Sequence, residues 1–150
     1  MQQDVAALEG IGNLLAEGSR AMSQKLGQGS AHFAMNVKGL ELPAYDPRAA
    51  KITGLGYVTA NRGGDHITAY VQGPTFIDAP FLLVEDSTIA DPFVADPKEA
   101  RVVIDLENAL TMFDCIGACK FMGILLPAED YVQLISHATG WDFKVADFRK

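Results

Sequence analysis

The sequence is poor in soft metal ligands: two cysteines and three histidines occur in 150 positions. A small secreted domain stapled by disulfides would carry more cysteines at wider spacing. Cys115 and Cys119 therefore point to a reducing compartment. Structural zinc finds no self-contained site, because two thiols need two further ligands and neither His66 nor His137 stands at finger-like spacing. Basic residues are also scarce. Twelve Lys and Arg against nineteen Asp and Glu leave a formal charge of −7, which argues against a protein that grips a phosphate backbone. The charge reads first as a solubility feature. No apolar run approaches the roughly 20 residues that span a bilayer. Met1 to Gly10 contains acidic residues and no long apolar core, unlike a secretory leader. Together these absences predict a cytoplasmic protein that binds neither nucleic acid nor membrane.

What is present is a globular composition, 49% hydrophobic and 21% charged, in a chain long enough to bury one core. Periodicity predicts a helix over Asp4–Leu26, with Leu8, Ile11, Leu15, Gly18, Met22 and Leu26 on one stripe. Gly10, Gly12 and Gly18 would serve close packing there, and Gly27 would supply a left-handed cap. Residues 28–47 read as loop. Asp46-Pro47 looks like a helix start, with Ile52, Leu55, Val58 and Thr59 on the following face and a stop near Asn61–Gly64. Ile67–Val71 suits a strand or a helix entry. Residues 73–96 read as loop with one short element around Phe81–Glu85. Asp96-Pro97-Lys98-Glu99 has the form of a capping box, opening a helix through Val102, Val103, Leu106, Ala109, Leu110 and Phe113 that Gly117 interrupts. A last helix runs over Ala128–Ala138, presents Tyr131, Leu134, Ile135 and Ala138, and closes at Gly140. The expected fold is mainly α: an irregular multi-helix domain with long loops, one unit over residues 1–150.

Three segments carry candidate chemistry. In Asp114-Cys115-Ile116-Gly117-Ala118-Cys119 a thiolate is a soft ligand for zinc, copper(I) or an iron–sulfur cluster. On a helix the two thiols would share one face. Two thiols cannot complete a four-thiolate site. The pair is either inert core or part of a site finished by another segment or chain. In Asn61-Arg62-Gly63-Gly64-Asp65-His66, Arg62 can grip phosphate or carboxylate in two-pronged fashion, and His66 can move a proton near neutral pH. The plainer alternative is an exposed loop with an Arg–Asp pair. The third segment, Lys38 to Arg48, mixes Gly, Pro, charge and Tyr, and either fixes a bend or belongs to the site.

Taken in order, these three segments resemble the aldehyde:ferredoxin oxidoreductases, the tungsten-pterin and iron–sulfur enzymes. Val37 to Arg48 is similar to that family's KGLE-P-YDPR string, Gly54 to His66 to its GLxYATSNRGxxH, and Asp114 to Phe121 to its DxxGLCKF. Glu9 to Gly18 and Thr139 to Asp142 fit the flanking helix and turn, so the likeness covers nearly the whole chain. The resemblance implies a tungsten or molybdenum ion held by two pterin dithiolenes, a [4Fe–4S] cluster, an aldehyde substrate and ferredoxin as electron acceptor. It assigns Cys119 as a cluster ligand. Asp114, with Gly117 and Ala118 beside it, falls at the pterin. Arg62 joins the cofactor contacts, and His66 lies near the metal as a proton-transfer residue. Cys115 inherits no role.

Two departures stand out: Ala118 where Leu is usual, and Asp65 where Cys is common, which puts a carboxylate next to His66. Members of the family are several times longer. The resemblance therefore makes this chain a fragment. An N-terminal pterin-binding domain, the other three cluster cysteines and the rest of the C-terminal region would lie elsewhere. The isolated chain is expected to be inactive and free of cofactor, and its uncovered apolar surface would favour association. Alternatives are a relative acting on another substrate, by aromatic acyl-thioester reduction or sugar-phosphate aldehyde oxidation, or a non-enzymatic helical partner module.

Overall fold

Helix predominates in the computed structural model, which describes residues 2–76, 84 and 91–149. Among the described residues there are seven α-helices and one two-stranded hairpin: α1 Gln2–Ala7, α2 Ile11–Ala16, α3 Gly18–Leu26, β1 Asn36–Val37, β2 Leu40–Glu41, α4 Lys51–Thr59, α5 Gln72–Phe76, α6 Ala100–Ile116 and α7 Ala128–Thr139. The mainly α expectation holds. Short 3-10 turns at Pro97–Glu99 and Lys120–Ile124 lead into and away from α6.

The core is organised by α6. Val103, Leu106, Leu110 and Phe113 recur at helical spacing and are at most 1% exposed. Ile52 of α4, the Ala69-Tyr70-Val71 stretch and Tyr131 of α7 close around them. Phe113 and Tyr131 meet edge to face, with ring centroids 5.0 Å apart. Asp96 caps the entry, accepting from the Lys98 N–H at 2.9 Å. Glu99 does not close the expected capping box. Its buried carboxylate instead accepts from the Asp91 N–H at 3.3 Å, tying down the preceding loop. At the far end Gly117 adopts the left-handed conformation, φ 69 and ψ 23. The Ala118 N–H reaches the Phe113 carbonyl at 2.9 Å and the Gly117 N–H reaches that of Asp114 at 3.3 Å. This paired closure is a Schellman end, and glycine is what permits it. Because the helix stops there, Cys115 lies in its last turn and Cys119 in the extended residue beyond. The two thiols therefore do not lie on one helix, and the condition under which they would share a face is not met.

Other expectations also change. The long N-terminal helix is three short ones, broken at Leu8 and Gly10 (both φ 53) and at Gly18 (φ 86). Here glycine breaks the helix, and periodicity alone does not reveal that. Nor is the stripe a core face: Leu8, Ile11, Leu15 and Leu26 are 41–53% exposed. Gly27, at φ 63 and ψ −141, ends α3 outside the left-handed helical region. Asp46 caps a turn ahead of α4, accepting from the Arg48 N–H at 2.8 Å, and the helix proper begins at Lys51. The buried face of α4 is Ile52, Thr53, Gly56 and Tyr57, while Val58 is 65% exposed. On α7 only the first turns are covered, and Leu134 is 59% exposed. Ile67–Val71 is not a strand; it is a turn, in which Tyr70 has φ 42, that leads directly into α5, so of the two expectations the helix entry is the one met. The element expected at Phe81–Glu85 lies outside the described residues except for Val84, which packs on the core.

Among the described residues Phe33, Leu125, Leu134 and Trp141, together with the N-terminal stripe, leave apolar surface exposed. Among the described residues no helix is long and apolar enough to cross a membrane.

Candidate active site

The hairpin is the scaffold for the first two segments. Lys38 and Gly39 form its turn, with φ 54 and 88, the sign that a tight two-residue hairpin requires. The Lys38 ammonium donates to the Val58 and Ala60 carbonyls at 3.2 and 2.8 Å. It thus sits at the negative end of α4, satisfying acceptors the helix leaves open. At the other strand, the Glu41 carboxylate accepts from the Ser19 N–H at 2.7 Å, at the start of α3. That backbone bond holds the carboxyl below its ordinary value. The hairpin is thereby pinned to two helix ends by opposite charges.

Gly63 and Gly64 lie flat against the hairpin. A side-chain carbon on Gly63 would fall 2.1 Å from the Val37 carbonyl oxygen. One on Gly64 would fall 2.8 Å from that of Leu40. The Gly64 N–H donates to Val37 at 3.3 Å. Backbone therefore packs on backbone, and only glycine fits. The next residue, Asp65, is 9% exposed and fully engaged. It pairs with Arg62, accepts from the Ile67 N–H at 2.8 Å, and accepts from the Thr68 hydroxyl at 3.1 Å. The Arg–Asp pair read from the sequence is present, and Asp65 also builds the turn that carries His66. Behind that turn, Gly56 of α4 permits a close approach: a side-chain carbon at that position would lie only 3.3 Å from the Ala69 methyl.

His66 is half-buried between two rings, Tyr45 at 5.5 Å and Tyr70 at 6.4 Å between centroids. Tyr45 is placed by its carbonyl, which accepts from the Tyr57 hydroxyl at 2.8 Å. Burial pushes the Tyr57 hydroxyl up to about 12. Tyr70 in turn meets Phe121 edge to face at 5.0 Å. Burial raises the Tyr70 hydroxyl as well. The ring series Tyr45, His66, Tyr70, Phe121 thus passes through all three segments singled out in the sequence.

Lys120 supplies a second link. Its side chain is only 10% exposed. Its ammonium pairs with Asp114 at 2.8 Å and donates to the Ile67 carbonyl at 3.5 Å. Asp114 itself is 57% exposed at the end of α6. Both cysteines are free and exposed, so neither is an inert core thiol. Gly117 is exposed and Ala118 half-buried at the bend between them. His32 and His137 are exposed. The structure thus brings His66 and Asp114 onto one continuous set of contacts, and places Arg62 on Asp65. Lys120, Tyr45, Tyr70 and Phe121 are the contributors that sequence reasoning left without a role. Three of them stand inside the quoted strings. Tyr70 does not, and its left-handed backbone has no sequence signal.

The donor chemistry suits one edge of a cofactor site. Cys119 offers an accessible thiol for a cluster iron, and Asp114 an accessible carboxylate for N–H donors. Among the described residues no three His, Cys, Asp or Glu side chains gather into a group that could hold a metal alone.

A family model described as "Aldehyde ferredoxin oxidoreductase, domains 2 & 3" matches residues 1–150. The chain is 38% identical over 148 residues to the tungsten-containing aldehyde ferredoxin oxidoreductase of Pyrococcus furiosus, covering 99% of this chain and 23% of that protein. It is 38% identical over 146 residues to the same-named protein of Pyrococcus horikoshii, covering 97% of this chain and 23% of that protein. For that of Thermococcus kodakarensis the identity is 36% over 148 residues, again 99% and 23%. The chain therefore spans about a quarter of the length of these relatives.

Proposed function

The chain belongs to the aldehyde ferredoxin oxidoreductase family, and from that premise we propose that it forms one wall of the cofactor site of a tungsten- or molybdenum-pterin enzyme. The whole enzyme would oxidise aldehydes to carboxylates, with water supplying the oxygen and ferredoxin taking the electrons. The observation that supports this best is the convergence of the three segments through the ring series and Lys120. Strings separated by tens of residues meet where their functional groups could face one cofactor.

In this reading Cys119 gives its thiolate to a [4Fe–4S] cluster, and its exposure suits a ligand completed by another part of the protein. Asp114 accepts from pterin N–H groups. Gly117 and Ala118 let the backbone approach the pterin, and alanine leaves more room there than the usual leucine. Arg62, 65% exposed, offers its free edge to an anionic group of the pterin while holding Asp65. His66, steadied between Tyr45 and Tyr70, gives or takes a proton at an imidazole nitrogen near the reacting carbonyl. Two-electron acceptance and onward one-electron transfer are the chemistry that metal and cluster supply when bound. A four-iron cluster takes four thiolates and Cys119 brings one, so the chain alone would hold no cofactor and turn over no aldehyde.

The test is elemental and spectroscopic. A longer protein that carries this segment, purified without oxygen, should be brown and contain iron together with tungsten or molybdenum. A colourless, metal-free product would overturn the reading.

A further inference from the structure

Three observations around His66 have no explanation in the roles assigned above. Lys120 is nearly buried, yet it reaches both Asp114 and the Ile67 carbonyl. Phe121, 45% exposed, places its ring against Tyr70. Tyr70 is buried and holds a positive φ of 42, uncommon for a bulky non-glycine residue. Its N–H bonds the His66 carbonyl at 3.1 Å, so the strained residue closes the turn that His66 opens.

We propose that Lys120 and Phe121 are positioning residues that hold the His66–Tyr70 turn in register with the Asp114–Cys119 edge. The two residues directly follow Cys119 in the chain. Each reaches a different part of the turn: the ammonium takes the carbonyl one residue after His66, and the ring takes Tyr70. A shift of the backbone at Cys119 is thereby transmitted to the imidazole. Lys120 also fixes the carboxylate of Asp114, which is on the surface and would otherwise sample several rotamers. The proton-moving side chain and the cofactor-facing side chains are set by one piece of chain. Strain at Tyr70 is the mark of that arrangement, because relaxing it would let the turn drift from the edge. The consequence for catalysis rests on the function proposed above. The mechanical link does not, and it can be read on this chain without cofactor.

The experiment compares the 150-residue chain with Phe121→Leu, Lys120→Met and Lys120→Arg, following the His66 and Tyr70 ring resonances and the exchange of the 67–70 amides by NMR. Phe121 is partly exposed, so Phe121→Leu should keep the fold while removing the ring. The expected result is a shift of the His66 resonances and faster exchange of the 67–70 amides in Phe121→Leu and Lys120→Met, with Lys120→Arg returning most of the wild-type pattern. Unchanged His66 resonances in Phe121→Leu would overturn the proposal, even if stability falls, because packing alone would cost stability without moving His66. Should Lys120→Met unfold the chain, Phe121→Leu decides alone by the same criterion. In a metal-loaded longer protein, Lys120→Met should lower kcat about tenfold to a hundredfold with little change in KM, as expected when a reacting group is misplaced by a fraction of an ångström to an ångström. Absence of metal from that protein would count against the function proposed above and leave the NMR result standing.

Discussion

Gly63→Ala is the sharpest probe of how the first two segments are joined. Gly63 has φ 103, and a side-chain carbon there would lie 2.1 Å from the Val37 oxygen and 2.9 Å from the Val37 carbonyl carbon. The clash is with backbone, so no side-chain rotation relieves it. Forcing alanine into that conformation costs about 1–3 kcal/mol. Pushing the hairpin away costs a further amount of about 1–3 kcal/mol, as overpacking does elsewhere. The Gly64-to-Val37 hydrogen bond at 3.3 Å would go with it, a loss of about 1 kcal/mol. The sum is about 3–7 kcal/mol, a large share of the roughly 5–15 kcal/mol that stabilises a domain. In urea, at about 2 kcal/mol per molar, the midpoint should fall by about 1.5–3.5 M. Gly117→Ala is the control. It too has a positive φ, 69, but nothing lies within 4 Å of the added carbon. It should therefore pay the backbone term alone, about 1–2 kcal/mol. If Gly63→Ala costs no more than Gly117→Ala, the hairpin does not rest on the Gly63–Gly64 backbone, and the support drawn for His66 is wrong.

Three further outcomes follow from the packing. Phe113→Ala removes a ring that is 1% exposed and edge-on to Tyr131, and should cost about 3–5 kcal/mol in the same unfolding assay. Tyr57 is neutral and buried, with its hydroxyl raised to about 12 from an ordinary value near 10. Its contribution is whole below pH 10 and is lost as pH climbs from 10 towards 12, so stability should fall over that window and fall less in Tyr57→Phe. Asp46 has its carboxyl held down to about 2 by the Arg48 side chain and then the Arg48 N–H. An NMR titration should give a midpoint near that value, with the Asp46–Arg48 contact intact above pH 4 and lost as pH falls towards 2; a midpoint near 4 would deny the contact.

Legibility followed the physics of each element. The α6 helix was plain in the sequence because three signals agree: Asp96-Pro97 at the start, apolar residues at helical spacing through Phe113, and Gly117 at the stop. Closure of α7 by Gly140 was equally readable. The N-terminal segment misled because helical periodicity runs straight through Leu8, Gly10 and Gly18, while the positive φ angles that cut it leave no periodic trace. On α4 the glycines decided the buried face, with Gly56 against Ala69 drawing Thr53 and Tyr57 inward in place of Val58. At the site, the strings were visible but not the work of each letter. Lys38, Glu41, Gly63, Gly64 and Asp65 prove to be scaffold, holding helix ends, a hairpin and a turn. The contacts of Lys120 and Phe121 span some 50 residues of sequence, from Ile67 and Tyr70 to the segment after Cys119, and no local pattern encodes such pairings.

The central claim is that Cys119, and not its neighbour Cys115, serves a cluster beside the His66 wall. The direct measurement is electron paramagnetic resonance, with iron analysis, on a reduced longer protein carrying Cys119→Ser or Cys115→Ser. Cys119→Ser should abolish or alter the cluster signal and lower bound iron, while Cys115→Ser should match the unmodified protein. An unaltered signal in Cys119→Ser, or loss of the signal in Cys115→Ser instead, would contradict the account.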